Sequence, residues 1–427
     1  MSAELSQPLR TTPPITAADI DEAAQRIADV VARSPLQYSD RLSEATGADI
    51  YLKREDLQTV RSYKLRGAYN LLKQLSADEI AAGVVCSSAG NHAQGFALAC
   101  RSMGIRGRVY VPAKTPKQKR DRIRYHGREF IELIAVGSTY DLAAEAALGD
   151  VARTGATLVP PFDDPRTIAG QGTIAAEMLA QLDDEPDLVI VPVGGGGCIA
   201  GITTYLAART TNTSVLGVEP AGAASMMAAL AAGTPVTLEH VDQFVDGAAV
   251  NRAGRLTYAA LAAAGDMVSI TTVDEGAVCT AMLDLYQNEG IIAEPAGALS
   301  VAGLLEADIE PGSSVVCLIS GGNNDVSRYN EVLERSLVHL GLKHYFLVDF
   351  PQEPGALRRF LDGVLGPNDD ITLFEYVKRN NRETGAALVG VELGNAADFD
   401  GLIARMDASD IHVEALEPGS PAYRYLT

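Results

Sequence analysis

One lysine of the chain lies where its side-chain amine could act as a nucleophile or a base. Lys64 belongs to Arg61–Tyr69 (RSYKLRGAY), whose apolar positions have helical spacing, and Ser62 is predicted to cap that helix. Lys64 would then occupy the first turn, where the positive end of the helix dipole opposes protonation of its ammonium. A lysine with a lowered pKa is what a Schiff base with an aldehyde cofactor requires. Taken alone, a lysine at a helix start is far more often an ordinary surface residue, and the surrounding motifs have to overturn that interpretation.

A loop of small residues follows one strand later. Ser87–Gly95 (SSAGNHAQG) connects a predicted strand, Val84–Ser87, to a helix predicted to start near Gln94. Small residues at such a junction expose several backbone N–H groups together, which makes a good seat for a carboxylate. The amide of Asn91 could also hold a hydroxyl or phenolate oxygen. The alternative is a tight strand–helix turn, in which His92 is a core histidine bonded to the backbone and has no chemical role.

Four consecutive glycines, Gly194–Gly197, stand between the apolar strand Leu188–Val193 and a helix predicted over Ile199–Arg209. Such a run is costly in conformational entropy unless the backbone must press against an anion, and the pattern therefore predicts a phosphate site. The same letters fit the G-x-G-x-x-A pattern of a dinucleotide-binding fold, with Glu219 at the end of the next strand. This loop by itself therefore does not distinguish a cofactor-phosphate site from an NAD site.

Five segments of this kind follow one another, each at a strand–helix junction or a helix start. They are RSYKLRGAY, SSAGNHAQG, PVGGGGCIAG, EPAGA (Glu294–Ala298) and LISGGNN (Leu318–Asn324). In this order they resemble the fold-type II pyridoxal-phosphate enzymes, and among them the threonine dehydratases of the biosynthetic type. The resemblance covers the predicted catalytic part and the C-terminal module, and Pro161–Asp164 (PFDD), Ile168–Thr173 (IAGQGT) and Phe244–Val250 (FVDGAAV) extend it. It implies pyridoxal 5′-phosphate as the cofactor.

The resemblance implies a role for each matching residue. Lys64 matches the lysine that bonds the cofactor covalently, Asn91 the asparagine on its 3′ oxygen, and Ser320 the hydroxyl that faces its pyridine nitrogen. Lys64 and Ser320 are therefore the expected catalytic residues. The loop expected to hold the cofactor phosphate consists of Gly194, Gly195, Gly196, Gly197 and Cys198. The loop expected to grip the substrate carboxylate consists of Ser88, Ala89, Gly90, Asn91 and His92.

These residue types favour elimination over transamination. A carboxylate facing the pyridine nitrogen would keep it protonated and strengthen the electron sink, whereas Ser320 leaves it essentially neutral. A weaker sink favours loss of a β-leaving group. In the implied reaction Lys64 removes the α proton as general base and the β-hydroxyl leaves as water. Threonine would give 2-oxobutanoate and ammonia, and serine is expected to be a poorer substrate.

Two positions separate this chain from the serine racemases of the same fold. In those relatives the residue before the Gly-Asn of the substrate loop carries a hydroxyl that acts on the opposite face of the α carbon. Here that residue is Ala89, and racemisation is expected to be weak. Those relatives also bind a divalent cation near the segment matching Glu219–Ser225, where only Glu219 supplies a carboxylate. No metal site is therefore predicted.

The elements that must position these residues alternate between strand and helix as far as about residue 335, which predicts an α/β fold with two parallel sheets covered by helices. Amphipathic helical stretches, such as Thr139–Thr154 and Asp274–Asn288, separate most of the predicted strands. The strands predicted are Ile50–Arg54, Val84–Ser87, Gly107–Val111, Phe130–Leu133, Thr157–Val159, Leu188–Val193, Ser214–Val218 and Val315–Ile319.

The last part of the chain follows a β-α-β-β-α-β order, typical of a ferredoxin-like α+β domain. We predict a flexible leader over residues 1–16, a catalytic domain over 17–340 and a regulatory domain over 341–427, preceded by a helix at Val326–His339. The module resembles the ACT-type domains that bind amino acids, and isoleucine is the expected inhibitor. Its predicted elements are Tyr345–Phe350, Ala356–Val364, Ile371–Lys378, Ala387–Leu393, Ala396–Met406 and Ile411–Ala415. The candidate effector residues at its first turn are Gly355, Ala356 and Leu357.

Composition excludes several classes of protein. With 35 Lys and Arg against 55 Asp and Glu, the formal charge of −20 argues against nucleic-acid binding. The basic run Lys114–Arg124 could attract phosphate or could be a solvated helix face. No apolar run reaches the ~18 residues that a membrane helix needs. Five cysteines without metal spacing indicate buried thiols and a cytoplasmic location.

A biosynthetic threonine dehydratase, working as a homo-oligomer (a homotetramer), is therefore the leading hypothesis. An unregulated catabolic serine/threonine dehydratase is the nearest alternative. A β-replacement enzyme such as threonine synthase or cysteine synthase suits the SSAGNHAQG loop less well. An NAD-dependent oxidoreductase and a non-enzymatic amino-acid sensor remain as hypotheses of other classes, although Lys64, Asn91 and Ser320 are all present.

Overall fold

The computed structural model describes residues 15–376, 383–417, 420 and 423, and these form two compact units that divide after Asn324. Most of the predicted leader, the end of the strand predicted over Ile371–Lys378 and part of the turn that follows it lie outside the described residues. The helix predicted over Val326–His339 is grouped with the C-terminal unit. The domain boundary near residue 340 stays a prediction.

Strands of the described residues form three sheets. The first unit holds a six-stranded sheet of order β1-β2-β10-β7-β8-β9 and a four-stranded sheet of order β5-β4-β3-β6. The strands of this unit are β1 (Leu36–Tyr38), β2 (Asp49–Arg54), β3 (Val84–Ser87), β4 (Gly107–Val111), β5 (Ile131–Ala135), β6 (Thr157–Leu158), β7 (Leu188–Pro192), β8 (Ser214–Pro220), β9 (Val268–Val273) and β10 (Ser314–Ile319).

Both sheets of the first unit are parallel apart from β1, which runs antiparallel to β2 at one edge. Central strands such as β3, β7 and β10 are buried along almost their whole length, as a sheet covered by helices on both faces requires. The predicted fold class is therefore confirmed. Two edge strands, β1 and β9, are absent from the prediction because β1 has only three residues and β9 is half polar.

The helices of the first unit pack against these sheets around two large apolar clusters and a smaller one that contains Val85, Tyr110, Ala147 and Ala156. None of the helices within the described ranges combines the length and apolar composition that a membrane crossing needs. They are α1 (Ala17–Ile27), α2 (Asp40–Thr46), α3 (Lys64–Leu72), α4 (Ala77–Ala82), α5 (Asn91–Met103), α6 (Lys117–Gly127), α7 (Tyr140–Thr154), α8 (Pro165–Leu179), α9 (Gly197–Arg209), α10 (Ser225–Ala232), α11 (Arg255–Ala264), α12 (Glu275–Glu289) and α13 (Pro295–Glu306).

The C-terminal unit has the predicted β-α-β-β-α-β order after an initial helix. Its antiparallel sheet has the order β12-β13-β11-β14, and a core that includes Phe346, Phe360, Val389 and Leu402 packs between that sheet and its helices. The elements are α14 (Tyr329–His339), β11 (Lys343–Pro351), α15 (Ala356–Val364), β12 (Asp370–Tyr376), β13 (Thr384–Glu392), α16 (Phe399–Asp407) and β14 (His412–Ala415).

Candidate active site

Lys64 is the first residue of α3, and its side chain is partly buried. Its Nζ donates a hydrogen bond to the carbonyl oxygen of Pro161 at 3.0 Å. Burial lowers the pKa of this amine to about 8, against the opposing influence of Cys198 and Glu294. Loss of solvent therefore makes a larger fraction of Lys64 free base near neutral pH than of an ordinary lysine.

Ser62 is not the cap of α3, and that prediction is wrong. The N-cap position is Tyr63, which makes no side-chain capping bond. Ser62 instead forms an isolated bridge with Gly321, and its hydroxyl is buried without a protein partner. The residue is held by backbone pairing at the carboxyl end of β10, a long-range contact that local capping rules cannot anticipate.

Helix α5 lies directly against the start of α3. A Cβ added to Gly95 would stand 2.9 Å from the backbone nitrogen of Leu65 and 3.0 Å from the carbonyl carbon of Lys64. Such a separation is too short for any side chain. Glycine at this position therefore allows the helix that begins with Asn91 to pack beside the lysine.

The glycine loop also lies close to the lysine. Gly196 has a φ of +87°, which favours glycine, and α9 begins at Gly197, two residues before the predicted start. The ring of Phe162 covers Gly195 so closely that an added Cβ would stand 2.4 Å from it. Because Phe162 follows Pro161, the loop and the Lys64 amine share one supporting segment. The first N–H groups of α9 have no partner within the helix and could bind an anion.

Ser320 follows β10 and is buried next to the lysine helix. Its carbonyl oxygen accepts the backbone N–H of Tyr63 at 3.2 Å. Its hydroxyl donates to the carbonyl oxygen of Ala296 at 3.1 Å. The structure therefore brings Ser320, Lys64 and the glycine loop together at the carboxyl ends of strands in one sheet, the usual binding edge of a parallel α/β fold.

Asn91 completes the group from the other sheet. Its amide nitrogen donates to the carboxylate of Glu294, and its amide oxygen accepts from Asn323 Nδ2 at 2.7 Å. Burial raises the pKa of Glu294 to about 7. Glu294 and Asn323 lie inside the motifs EPAGA and LISGGNN, but no role is predicted for either from the sequence. An acidic residue in the apolar run IIAEPAGA was the signal for Glu294.

The substrate loop lies at the start of α5. That helix begins at Asn91, three residues before the predicted start, and an added Cβ on Gly90 would meet open space. The hydroxyl of Ser88 accepts the backbone N–H of Gly90 at 3.3 Å. His92 points into the core, where its Nε2 lies 2.8 Å from the carbonyl oxygen of Val159, and burial lowers its pKa to about 4. A neutral, backbone-bonded histidine carries no charge for the site.

The donor set fits pyridoxal phosphate. The start of α9 offers N–H groups for a phosphate, Lys64 offers an amine of lowered pKa for the aldehyde, and Asn91 retains a second amide N–H. Burial raises the pKa of the Cys198 thiol, so that this residue lines the loop as a neutral group. Within the described ranges no cluster of three or more His, Cys, Asp or Glu side chains could hold a metal ion.

The carboxylate of Glu219 binds backbone N–H groups at the start of another helix, α10. Its two carboxylate oxygens accept the backbone N–H groups of Met226 and Met227, at 2.7 and 2.8 Å, at the start of α10. Burial raises its pKa to about 7. The residue therefore acts as a helix cap in this structure.

The candidate effector residues lie at the start of α15 in the C-terminal unit. Gly355 has a φ of +87° and precedes the helix, Ala356 is buried, and Leu357 is exposed. The turn requires glycine for its backbone conformation. Its role toward a ligand stays a prediction.

Comparison with known proteins places the chain in a family. Residues 27–321 match the pyridoxal-phosphate-dependent enzymes, and residues 334–426 match the C-terminal regulatory domain of threonine dehydratase. The biosynthetic L-threonine dehydratase of Mycobacterium tuberculosis is 86% identical to this chain, over 100% of both proteins.

Two solved structures have the same fold in the catalytic part. Processed threonine deaminase isoform 2 of Solanum lycopersicum is 39% identical, with a TM-score of 0.71 over 75% of this chain and 87% of its own. Maize serine racemase is 30% identical, with a TM-score of 0.69 over 76% of this chain and 99% of its own. The chain belongs to the family of biosynthetic L-threonine dehydratases, pyridoxal-phosphate-dependent enzymes that carry a C-terminal regulatory domain.

Proposed function

We propose that this enzyme removes water from L-threonine to give 2-oxobutanoate and ammonia, with L-serine as a poorer substrate. The convergence of Lys64, Asn91, the glycine loop and Ser320 around one site is the observation that carries the proposal. The 86% identity to a biosynthetic L-threonine dehydratase supports the choice of substrate.

The site residues divide the work of holding the cofactor. Backbone N–H groups at Gly194–Cys198 would bind its phosphate, Asn91 would donate its second amide N–H to the 3′ oxygen, and the Ser320 hydroxyl would face the pyridine nitrogen. Pyridoxal phosphate supplies the aldehyde that captures the substrate amine and the ring that withdraws electrons from the α carbon. A hydroxyl, unlike a carboxylate, does not hold the ring nitrogen protonated, which favours elimination over transamination.

Lys64 is the base of the reaction. A partly buried amine with a pKa of about 8 is largely able to accept a proton at mildly alkaline pH, and its position at the start of α3 aims it into the site. The substrate loop, Ser88–His92, holds the substrate carboxylate at the start of α5. Ala89 has no proton to give to the opposite face of the α carbon, and racemisation is therefore weak.

Ketoacid release tests the proposal on the full chain loaded with cofactor. We expect 2-oxobutanoate and ammonia in equal amounts from L-threonine, and slower pyruvate release from L-serine. Turnover of serine in preference to threonine would instead indicate the catabolic type of dehydratase. A protein that releases no ketoacid from either amino acid would contradict the proposal.

Regulation forms the second part of the proposal. Isoleucine binds the C-terminal unit near Gly355, Ala356 and Leu357 and inhibits the enzyme, because the end product of a pathway is the natural ligand of a regulatory domain on its first enzyme. The presence of the regulatory domain and the open glycine turn support this assignment. One ferredoxin-like module is present in the described part of the chain, and we propose that modules pair between subunits of a cytoplasmic homotetramer.

Gly355→Ala in the full chain tests the effector site. The added methyl group should keep the ligand away from the backbone, and the isoleucine concentration for half-inhibition should rise about tenfold, within the usual range of allosteric coupling. Gly341→Ala is the matched control, because Gly341 also has a positive φ, of +67°, and lies in the same unit. Equal isoleucine sensitivity of the two variants and the wild type, measured at subsaturating threonine, would place the sensor elsewhere.

A further inference from the structure

We propose that Asn323 and Glu294 are positioning residues that together hold the amide of Asn91 in one orientation, with an N–H directed at the 3′ oxygen of the cofactor. The inference rests on the proposed contact between Asn91 and the cofactor. The three residues lie far apart in the chain and meet through hydrogen bonds of defined polarity.

The orientation of the Asn323 side-chain amide is determined by two hydrogen-bond partners, one that can only accept and one that can only donate. Its Nδ2 donates to the backbone carbonyl of Val60 at 2.8 Å, and a carbonyl can only accept. Its Oδ1 accepts from the guanidinium of Arg122 at 3.1 Å, and a guanidinium can only donate. Rotation of the Asn323 amide by half a turn would place donor against donor and acceptor against acceptor.

The fixed orientation of the Asn323 amide determines the orientation of the Asn91 amide. The second hydrogen of its Nδ2 is donated to Asn91 Oδ1 at 2.7 Å, so that the oxygen of Asn91 must face Asn323 and its nitrogen must face the other way. There the Asn91 nitrogen donates to the carboxylate of Glu294. One of the two hydrogens on that nitrogen is thereby used, and the other remains for a ligand.

Glu294 holds the nitrogen end of the Asn91 amide. It is buried, its backbone N–H donates to the carbonyl of Gly321 at 3.1 Å, and its carboxylate also accepts the backbone N–H of Asn323. A reversed Asn91 amide would place its oxygen against this carboxylate and its NH₂ group against that of Asn323. The contact between the two NH₂ groups is repulsive at any pH, and the contact with Glu294 is repulsive once its carboxyl is ionised. Both lie in a buried setting, where an unpaired polar group is costly. The pair therefore selects the orientation that presents a donor to the cofactor.

Titration of the apoenzyme with pyridoxal phosphate, followed by absorption, tests the inference without any substrate. Asn323→Ala should weaken cofactor binding about tenfold, the usual effect of losing a hydrogen bond to a charged oxygen. The pH at which the visible band of the bound cofactor changes should rise by about one unit, because a donor to the 3′ oxygen stabilises its ionised form. Glu294→Gln should give a smaller change of the same sign, since glutamine can accept or donate.

The decisive comparison repeats Asn323→Ala in a chain that already carries Asn91→Ala. A residue that acts through Asn91 should then cause no further loss of cofactor affinity, whereas a residue that merely supports the fold would weaken binding by the same factor in both backgrounds. Equal losses in the two backgrounds, or an unchanged absorption pH profile in Asn323→Ala, would overturn the inference.

Asn323→Asp protects the test against a folding defect. The side chain keeps its shape and its contact with Arg122, but offers an acceptor to the oxygen of Asn91, and its effect on cofactor affinity should be at least as large as that of Asn323→Ala. Thermal unfolding of each apoprotein reports folding separately. Cofactor affinity is independent of the substrate, so failure here would leave the threonine assay intact, and failure of that assay would leave this result intact.

Discussion

Replacement of Lys64 by alanine should abolish the release of 2-oxobutanoate from threonine. The change removes both the covalent attachment of the cofactor and the general base. A loss of several powers of ten in kcat is therefore expected, beyond the ~10²–10⁴ usually assigned to general acid–base catalysis alone. Single-turnover and steady-state rates with L-threonine provide the measurement.

Lys73→Ala is the matched control for that variant. Lys73 follows the last residue of the same helix, α3, and pairs with Asp29 at 3.2 Å near the surface. Its removal should leave the rate within about twofold of the wild type, since exposed ion pairs contribute little. If Lys64→Ala kept more than a tenth of the wild-type rate, the assignment of the reactive lysine would be wrong.

Replacement of Arg66 by methionine should cause the largest loss of stability. The guanidinium is fully buried and pairs with Glu55 and with Glu177, each at 2.7 Å. Thr173 Oγ1 accepts a further bond at 3.0 Å. Because methionine would leave the fully buried Glu55 without its charged partner, the free energy of unfolding should fall by about 3–5 kcal/mol. Urea unfolding of the full chain measures this change.

Arg124→Met serves as the control for the buried network. Arg124 is about half exposed and pairs with Asp121 at 3.7 Å one helical turn away. Its replacement should change the free energy of unfolding by no more than about 0.5 kcal/mol. Similar small effects at both arginines would mean that the network under α3 does not anchor the lysine helix.

Much of the fold follows from local patterns. Val84–Ser87 and Gly107–Val111 are predicted with the bounds that the structure has, because each is a short apolar run between turn residues or helices. The order of elements in the C-terminal unit follows from the same alternation. The glycine loop is recognisable for a physical reason as well, since none of its four glycines has room for a side chain. Gly194 lies against Ala248, Gly195 and Gly197 lie against Phe162, and Gly196 lies against Met226 and Thr257.

Contacts between distant segments are what local patterns miss. The Oε1 atom of Glu294 lies 2.5 Å from Nδ2 of Asn91, although 203 positions separate the two residues in the chain. Ser62 has the residue type and position that predict a helix cap, but in the structure it pairs through its backbone with Gly321. The resemblance of the motifs to those of a known family locates the site. Which groups donate to Asn91 and which accept from it depends instead on where the segments after β3 and β10 meet in the folded chain. Such polarity is a property of the folded chain.

The identity of the lysine that holds the cofactor is the central claim, and chemical trapping tests it most directly. Borohydride reduction of the full-length holoenzyme fixes the cofactor to its lysine, and proteolysis followed by mass spectrometry locates the label. We predict a single labelled peptide that contains Lys64, with loss of the visible absorption band. A label on another lysine, such as the buried Lys53 beside Glu177, or no label on any peptide, would contradict the account.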